Sequence, residues 1–364
     1  MNTTRYDSPV RKPSDPTFTF IDLFAGIGGM RMAAKQAGGR CIQSVEIDGA
    51  ARETYKMNFE EDPDRDIAKM GLRKRKVKKH DLTLAGFPCQ AFSLAGKRGG
   101  FSDTRGTLFR EVAEVLRHKK PKAFVLENVK GLIGHDHGKT LATILAALES
   151  KAVGYHLPAI IGPKGRVQRG WFTLNALDFG LPQHRERIFI VGFKSKRAAA
   201  RFRVPVPNAR IKRKALIDVL EDNPSRNRPV PERHFLSAKL LAGLKRHKAR
   251  HVEKGNGFGY QVRDQNAHAG TLVVGGMGKE RNLVKARLKA MPDPSIARQG
   301  PRNKEGLRRL TPREWARLQG FEESFILHPR ESQAYKQLGN SVAIPVVKAV
   351  IAHVVKAFKV RHNK

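Results

Sequence analysis

Residues 18–29 read FTFIDLFAGIGG, and the architecture follows from them. The run FTFIDLF (18–24) is short, apolar and closed by glycines, the pattern of a buried strand. Gly26, Gly28 and Gly29 then let the chain turn tightly, because glycine reaches backbone angles closed to other residues. A helix over about 30–37 follows. Strand, glycine turn and helix in succession aim backbone N–H groups at a ligand at the helix N-terminus. The pattern is G-x-G-G, short of the G-x-G-x-x-G of dinucleotide binders. A plain strand–helix turn reads the same way.

Working outward, strands are expected at 40–46, 82–85, 123–126 and 187–193. Helices are expected near 50–58, 108–117 and 140–150. This alternation predicts an α/β, doubly wound, Rossmann-like sheet. The charge then marks a second unit. The 364 residues include 70 Lys and Arg against 33 Asp and Glu, a net charge of +37, which points to a polyanionic partner and away from an acidic or neutral metabolic protein. Residues 191–310 hold 29 basic and 9 acidic positions, more than half of the excess. They are also broken by Pro205, Pro207, Pro224, Pro229 and Pro231 and by a glycine-rich stretch at 255–278, which reads as a separate, loop-rich domain. The basic run at 69–79 reads as a solvated loop. No apolar run of about 18 residues is present, so no membrane span is expected. Residues 1–16 are a polar tail without the apolar core of a signal peptide. Two cysteines, Cys41 and Cys89, fit a reducing, cytoplasmic setting.

Four strand-end motifs carry candidate chemistry. The first is the glycine turn, paired with Glu46 at the end of the second strand, where a carboxylate can hold ribose hydroxyls. Together they fit an adenosine-bearing ligand without a pyrophosphate, such as S-adenosyl-L-methionine. The second is Gly86-Phe87-Pro88-Cys89-Gln90, which puts a cysteine at a sheet's carboxyl edge. The third is Glu127-Asn128, a carboxylate able to share a proton with a ring nitrogen. The fourth is QHRER (183–187), whose arginines offer forked donors to a carbonyl or carboxylate. Each has a structural alternative: an inert buried cysteine, a helix-capping Asn, a surface ion-pair cluster. Cys41, inside an apolar strand, takes the inert reading. No metal site is expected.

In this order the motifs resemble those of the DNA (cytosine-5) methyltransferases, most closely the bacterial type II restriction–modification methylases. The resemblance runs over 18–347. It includes FAGIGG, FPCQAFS, GTLF at 106–109, ENV, QHRER, TPREWARLQGF at 311–321 and QLGNSVAIPVV at 337–347. It implies S-adenosyl-L-methionine as cofactor and double-stranded DNA as partner. Cys89, preceded by Pro88, would attack C6 of a flipped cytosine as thiolate. Glu127 would hold N3, Arg187 would anchor O2, Asn128 would position the Pro-Cys loop, and Arg185 would make loop or phosphate contacts. Phe24, Gly26, Gly28, Glu46, Ile47, Asp66, Ile67, Leu108, Asn340 and Ser341 match cofactor positions.

The resemblance also implies a catalytic domain at 17–193 completed by 313–360, and a target-recognition domain at 194–312. Gln90 and Ser93 fall in the loop that closes over DNA. Lys254, Asn256, Phe258 and Arg281 fall in segments (254–260 and 273–284) similar to recognition loops of enzymes for sites such as CCGG. Three positions depart from the family pattern: Arg65 replaces a glycine, Ile47 a tryptophan and Ala95 a serine. A monomer, paired in function with a restriction endonuclease, is implied. Two other readings keep parts of this: a transfer-RNA cytosine-5 methyltransferase, and a decayed, non-catalytic DNA-binding module.

Overall fold

The computed structural model describes residues 16–63, 66–67, 77–87, 107–162, 165–207, 213–287 and 302–359. Its centre is a six-stranded sheet. The strands are β1 (Phe18–Leu23), β2 (Gly39–Val45), β3 (Leu82–Ala85), β4 (Ala123–Val129), β7 (Trp171–Asn175) and β8 (Glu186–Phe193). Their order is β2-β1-β3-β4-β8-β7. Between β4 and β7 lies a separate hairpin of β5 (Ala159–Ile161) and β6 (Val167–Arg169).

The first four strands pair in parallel, as the doubly wound expectation requires. The far edge differs. β8 runs antiparallel to β4, and β7 runs antiparallel to β8. An apolar run such as RIFIVGF buries equally well in either direction, so its sequence carries no sign of the reversal. β4 also continues past the expected end at Leu126, taking Glu127 and Asn128 into the ladder opposite Phe189 and Ile188.

Period-two alternation splits the sheet's side chains between two layers. Phe18 and Phe20 of β1 join one core, and Ile21 and Leu23 the other. On the first face lie α1 (Gly29–Gln36), α5 (Lys196–Arg201) and α9 (Ile344–Phe358). On the second lie α3 (Thr107–Lys119) and α4 (Lys139–Glu149). α2 (Gly49–Phe59) starts where the Asp48 side chain accepts a hydrogen bond from the Ala51 N–H at 3.0 Å, an N-cap. α9 buries Val347, Val350, Ile351 and Val354, the spacing of one helix face. With α8 (Glu331–Asn340) it forms a stretch long and apolar enough to cross a bilayer by length and composition. Here it is a core helix, since α9 packs on α1 and α5.

Two features refine the expected boundaries. α5 lies past residue 193, yet Ala198, Ala199 and Phe202 belong to the core of the sheet. A third, small apolar cluster forms farther along the chain from Leu236, Leu241, Leu244, Leu283 and Leu307. It gathers α6 (Ala238–Glu253) and the two-residue strand β10 (Leu307–Arg308), which pairs with β9 (Val284–Lys285). α7 (Pro312–Gln319) begins in a capping box, with Thr311 and Glu314 bonding each other's backbone N–H. Arg308, fully buried, meets Asp222 at 2.6 Å and Glu314 at 2.8 Å and so ties this region to α7.

Candidate active site

The strand order reverses between β1 and its neighbours β2 and β3, and at such a switch point the carboxyl ends of the strands leave a crevice. A cleft of about 710 Å3 opens there, within the range of small-molecule sites. Phe24, Gly26, Glu46, Ile47, Asp66, Ile67, Leu108, Asn340 and Ser341 all line it. Residues from positions 24 to 341 are thus brought to one wall system.

The glycine turn is built around Glu46. Its Oε2 accepts from the Gly26 N–H at 2.7 Å, and its Oε1 from the Asp48 N–H at 2.8 Å. One carboxylate therefore fixes both the turn after β1 and the turn after β2, and each oxygen keeps further acceptor capacity. Phe24 and Gly26 adopt left-handed backbone angles, with φ of 59° and 55°. A Cβ at Gly26 would meet nothing within 4 Å.

Gly28 is different from what the motif implied. It does not line the cleft, and a Cβ there would lie 2.3 Å from the Phe59 ring. Its φ of 87° marks the N-cap of α1, so its role is close packing of the turn on α2. Gly29 plays a similar part toward the late segment, since a Cβ there would lie 2.6 Å from Ser341 Oγ.

The wall supplied by α8 was only partly anticipated. Lys336 Nζ meets Asp48 Oδ2 at 2.7 Å, and Gln337 bonds both the Thr54 hydroxyl and the Ala50 carbonyl at 2.9 Å. Val274, from the glycine-rich segment, also lines the cleft. None of these residue types signals a site by itself. Ile47 is exposed, at 70%, beside the cleft.

Adjoining the cleft, Glu127 Oε1 lies 3.3 Å from Arg187 Nε. Arg187 pairs with Val129 in the ladder, two positions from the partner of Glu127. That diagonal places both side chains on one face. Burial pushes the Glu127 carboxyl above its ordinary range, although Arg187 and Arg185 pull the other way. Burial likewise lowers Arg187. The carboxyl therefore holds its proton more readily than an exposed one, and the guanidinium beside it offers donors. Gly86 adjoins the pair, since a Cβ on it would lie 3.8 Å from Glu127 Oε2. Asn128 donates Nδ2–H to the Phe87 carbonyl at 2.9 Å, so it is part of the strand ladder and a tether, not a helix cap.

Arg185, expected to make loop or phosphate contacts, turns inward to the backbone of the late segment. It is 3% exposed, and its guanidinium donates to the Gly339 and Ser341 carbonyls. Those bonds close the late segment onto the cleft. Burial and the neighbouring Arg187 lower its pKa to about 9, so it remains a cation at neutral pH. Cys41 is half-buried, and its Sγ donates to the Gln43 carbonyl and meets Ser44 Oγ at 3.3 Å, while burial raises its thiol pKa. Pro88, Cys89, Gln90 and Ser93 lie outside the described residues, as do Arg65 and Ala95.

The expected DNA-reading residues gather beside α6. Phe258 is 55% exposed. Its ring stands edge-on to His251 at 5.7 Å, and the Arg281 guanidinium lies 5.9 Å from its centroid. Lys254 caps the end of α6, and the Asn256 N–H donates to the His251 carbonyl.

A mostly parallel sheet with an acid-braced glycine turn, a cleft at its switch point and a buried carboxyl–guanidinium pair is the arrangement of a Rossmann-like methyltransferase. Comparison with known proteins is specific. Residues 18–356 match the model of the C-5 cytosine-specific DNA methylase family. The chain is 48% identical over 334 residues to type II methyltransferase M.HpaII of Haemophilus parainfluenzae, covering 91% of this chain and 87% of that one. It is 41% identical over 333 residues to type II methyltransferase M.DsaV of Dactylococcopsis salina, covering 91% and 84%. The crystal structure of the S. pombe Dnmt2 methyltransferase shares the fold, with a TM-score of 0.66 at 19% identity over 93% of this chain and 98% of that one. The chain belongs to the C-5 cytosine-specific DNA methylase family and is a DNA (cytosine-5) methyltransferase.

Proposed function

We propose that this chain is a sequence-specific, type II modification enzyme. It transfers a methyl group from S-adenosyl-L-methionine to C5 of a cytosine flipped out of double-stranded DNA. It acts as a monomer and protects DNA from a cognate restriction endonuclease. The observation that carries the reading is the buried Glu127–Arg187 pair, 3.3 Å apart, both of whose residues line the cleft.

Cytosine C5 is a weak nucleophile, and covalent addition at C6 activates it. In this reading the Cys89 thiolate forms a bond to C6 while Glu127 gives or shares a proton at N3. The electron pair released from the ring then resides at C5. Arg187 offers donors to O2 and offsets the charge that develops there. Asn128 holds the backbone at Phe87, one residue before Pro88. After methyl transfer, loss of the C5 proton to a base expels the cysteine and restores the ring.

The cleft suits the cofactor. Glu46 keeps acceptor lone pairs for ribose hydroxyls, Phe24, Ile67 and Leu108 supply apolar wall, Asp66 can meet adenine, and Gly26 leaves space where a side chain would intrude. Bound there, S-adenosyl-L-methionine supplies an electrophilic methyl group. Gln90 and Ser93 belong to the loop that closes over the flipped base.

The division of labour is part of the same reading. The catalytic unit comprises 17–193 with α5 and Phe202, completed by 313–360. The recognition unit occupies the rest of 194–312 around the third apolar cluster, with Lys254, Asn256, Phe258 and Arg281 facing DNA.

Bisulfite sequencing of DNA from cells expressing the chain tests this. The expected result is 5-methylcytosine at one short sequence, absent with Cys89→Ser. Modified transfer RNA with unmodified DNA would overturn it, and so would transfer that survives Cys89→Ser.

A further inference from the structure

We propose that the outer face of α6 is a second contact surface for duplex DNA, gripping phosphates that flank the modified site. This rests on the reading that the recognition unit faces DNA, and it extends that reading to a helix with no assigned part in it.

The argument starts from helical spacing. Lys239, Gly243, Arg246 and Arg250 stand at i, i+4, i+7 and i+11 of α6, so at about 100° per residue they share one narrow stripe. Leu241 and Leu244 point the opposite way and are buried in the third apolar cluster. The stripe therefore faces away from the molecule, and Lys239, Arg246 and Arg250 are all exposed. Among the described residues none of the three meets a carboxylate within ion-pair distance. Lys245, on a different face, is the helix's ion-pairing residue, bonded to Glu305. The helix holds a single acid, Glu253. Three unneutralised cations on one straight edge repel one another, and a polyanion relieves that repulsion.

Gly243 is the second observation. A glycine inside a helix costs about 0.5–1 kcal/mol relative to alanine. Packing does not account for it, because a Cβ there would meet nothing within 4 Å. Its place at the middle of the basic stripe leaves a notch where a sugar-phosphate backbone can approach closely. The 16-residue helix is about 24 Å long, which spans roughly seven base pairs at 3.4 Å each.

α6 is also joined to the proposed reading loop. Lys248 lies 5.1 Å from the Tyr260 ring centroid, and His251 packs edge-on to Phe258. A base-reading loop and a phosphate-gripping helix thus form one continuous unit.

Fluorescence anisotropy tests the proposal with two duplexes centred on a site located by bisulfite sequencing. One ends close to the site. The other adds about one helical turn, some 10 base pairs, on each side. The wild-type protein is expected to bind the longer duplex more tightly and with the steeper salt dependence. The triple variant Lys239→Gln, Arg246→Gln, Arg250→Gln loses the length preference, and its log–log salt slope on the longer duplex falls by about 2.7, or 0.9 per phosphate contact. Its turnover on the shorter duplex is unchanged. Gly243→Glu, which fits open space and favours the helix, weakens binding to the longer duplex alone. Variants that keep the wild-type length preference and slope would overturn the proposal. Loss of turnover on the shorter duplex would overturn it too, because α6 would then serve the site itself. A wild-type protein that modifies no cytosine in DNA would refute the functional reading first.

Discussion

Asn128 donates its side-chain amide to the Phe87 carbonyl at 2.9 Å, while the neighbouring Glu127 reaches Arg187 at 3.3 Å. Adjacent residues of one strand thus hold the backbone leading to Cys89 and present the candidate proton donor. Asn128→Ala keeps both charges of the pair and frees that backbone. Turnover is expected to fall by about 100-fold, the scale of a misplacement of about 1 Å. Cofactor affinity, measured by calorimetry, stays near the wild-type value. A variant with weakened cofactor binding and unchanged turnover would show that the tether serves the cleft instead.

Glu127→Gln removes the proton but keeps the shape. Acid–base catalysis is worth about 10²–10⁴-fold, and a loss of that order is expected in single-turnover methyl transfer. The pH profile separates this from misfolding. Burial raises the Glu127 pKa, so the protonated form persists above the usual carboxylate range and wild-type activity declines as pH rises through that raised value. The residual rate of the Gln variant should lack that decline.

Glu46 braces two turns through Gly26 and Asp48. Glu46→Ala leaves both N–H groups without their acceptor and removes the proposed ribose partner. A hydrogen bond to a charged group contributes about 1.5–3 kcal/mol, so cofactor Kd should rise by at least tenfold. Unchanged affinity would refute the ribose assignment.

Gly26 and Gly28 should respond in opposite ways. Gly28→Ala drives a methyl into the Phe59 ring, and such overpacking costs about 1–3 kcal/mol, visible as a lowered Tm. Gly26→Ala meets no neighbour and bears only the left-handed backbone cost of about 1–2 kcal/mol. Its larger effect should be on cofactor affinity, because the methyl points into the cleft. Equal effects of the two on affinity would contradict the separation of roles.

Two buried groups make stability depend on pH with opposite signs. Burial lowers His80 to about 4. The unfolded chain then binds a proton that the folded chain refuses, so stability falls as pH drops from 6.5 toward 4. Burial raises Asp22 to about 8, against the opposing pull of Arg31, and neither oxygen makes a hydrogen bond of ordinary geometry. Here the folded chain holds the proton, so stability falls as pH rises from 3.8 toward 8. Asp22→Asn should raise the denaturation midpoint at pH 8 and change it little at pH 4. His80→Gln should flatten the loss between pH 6.5 and 4.

The parallel half of the sheet was legible because β1–β4 are short apolar runs followed by helices. β7 (WFTLN) was not, since its alternation is weak and most of its side chains are only half-buried. The direction of β8 left no mark on its composition. At the site, glycines, acids and arginines at strand ends were readable as candidates, but their partners were not. Nothing in the run QHRER distinguishes Arg185, spent on the Gly339 and Ser341 carbonyls, from Arg187, which faces Glu127. The same holds for Arg31, which looks like a surface cation of α1 yet lies buried against Tyr55 and Glu61.

The cleft wall made by Asn340 and Ser341 has a consequence for synthesis. Thr54 and Gln337, which lock α8 to α2, stand 283 positions apart, and contacts of such long sequence separation slow folding. A chain emerging from the ribosome already contains β1, Glu127 and Arg187 but neither the far side of the pocket nor α9, which covers one face of the sheet. Competence to hold a cofactor therefore arrives only after residues 337–341 have been made, when α8 and α9 dock against α2 and α1.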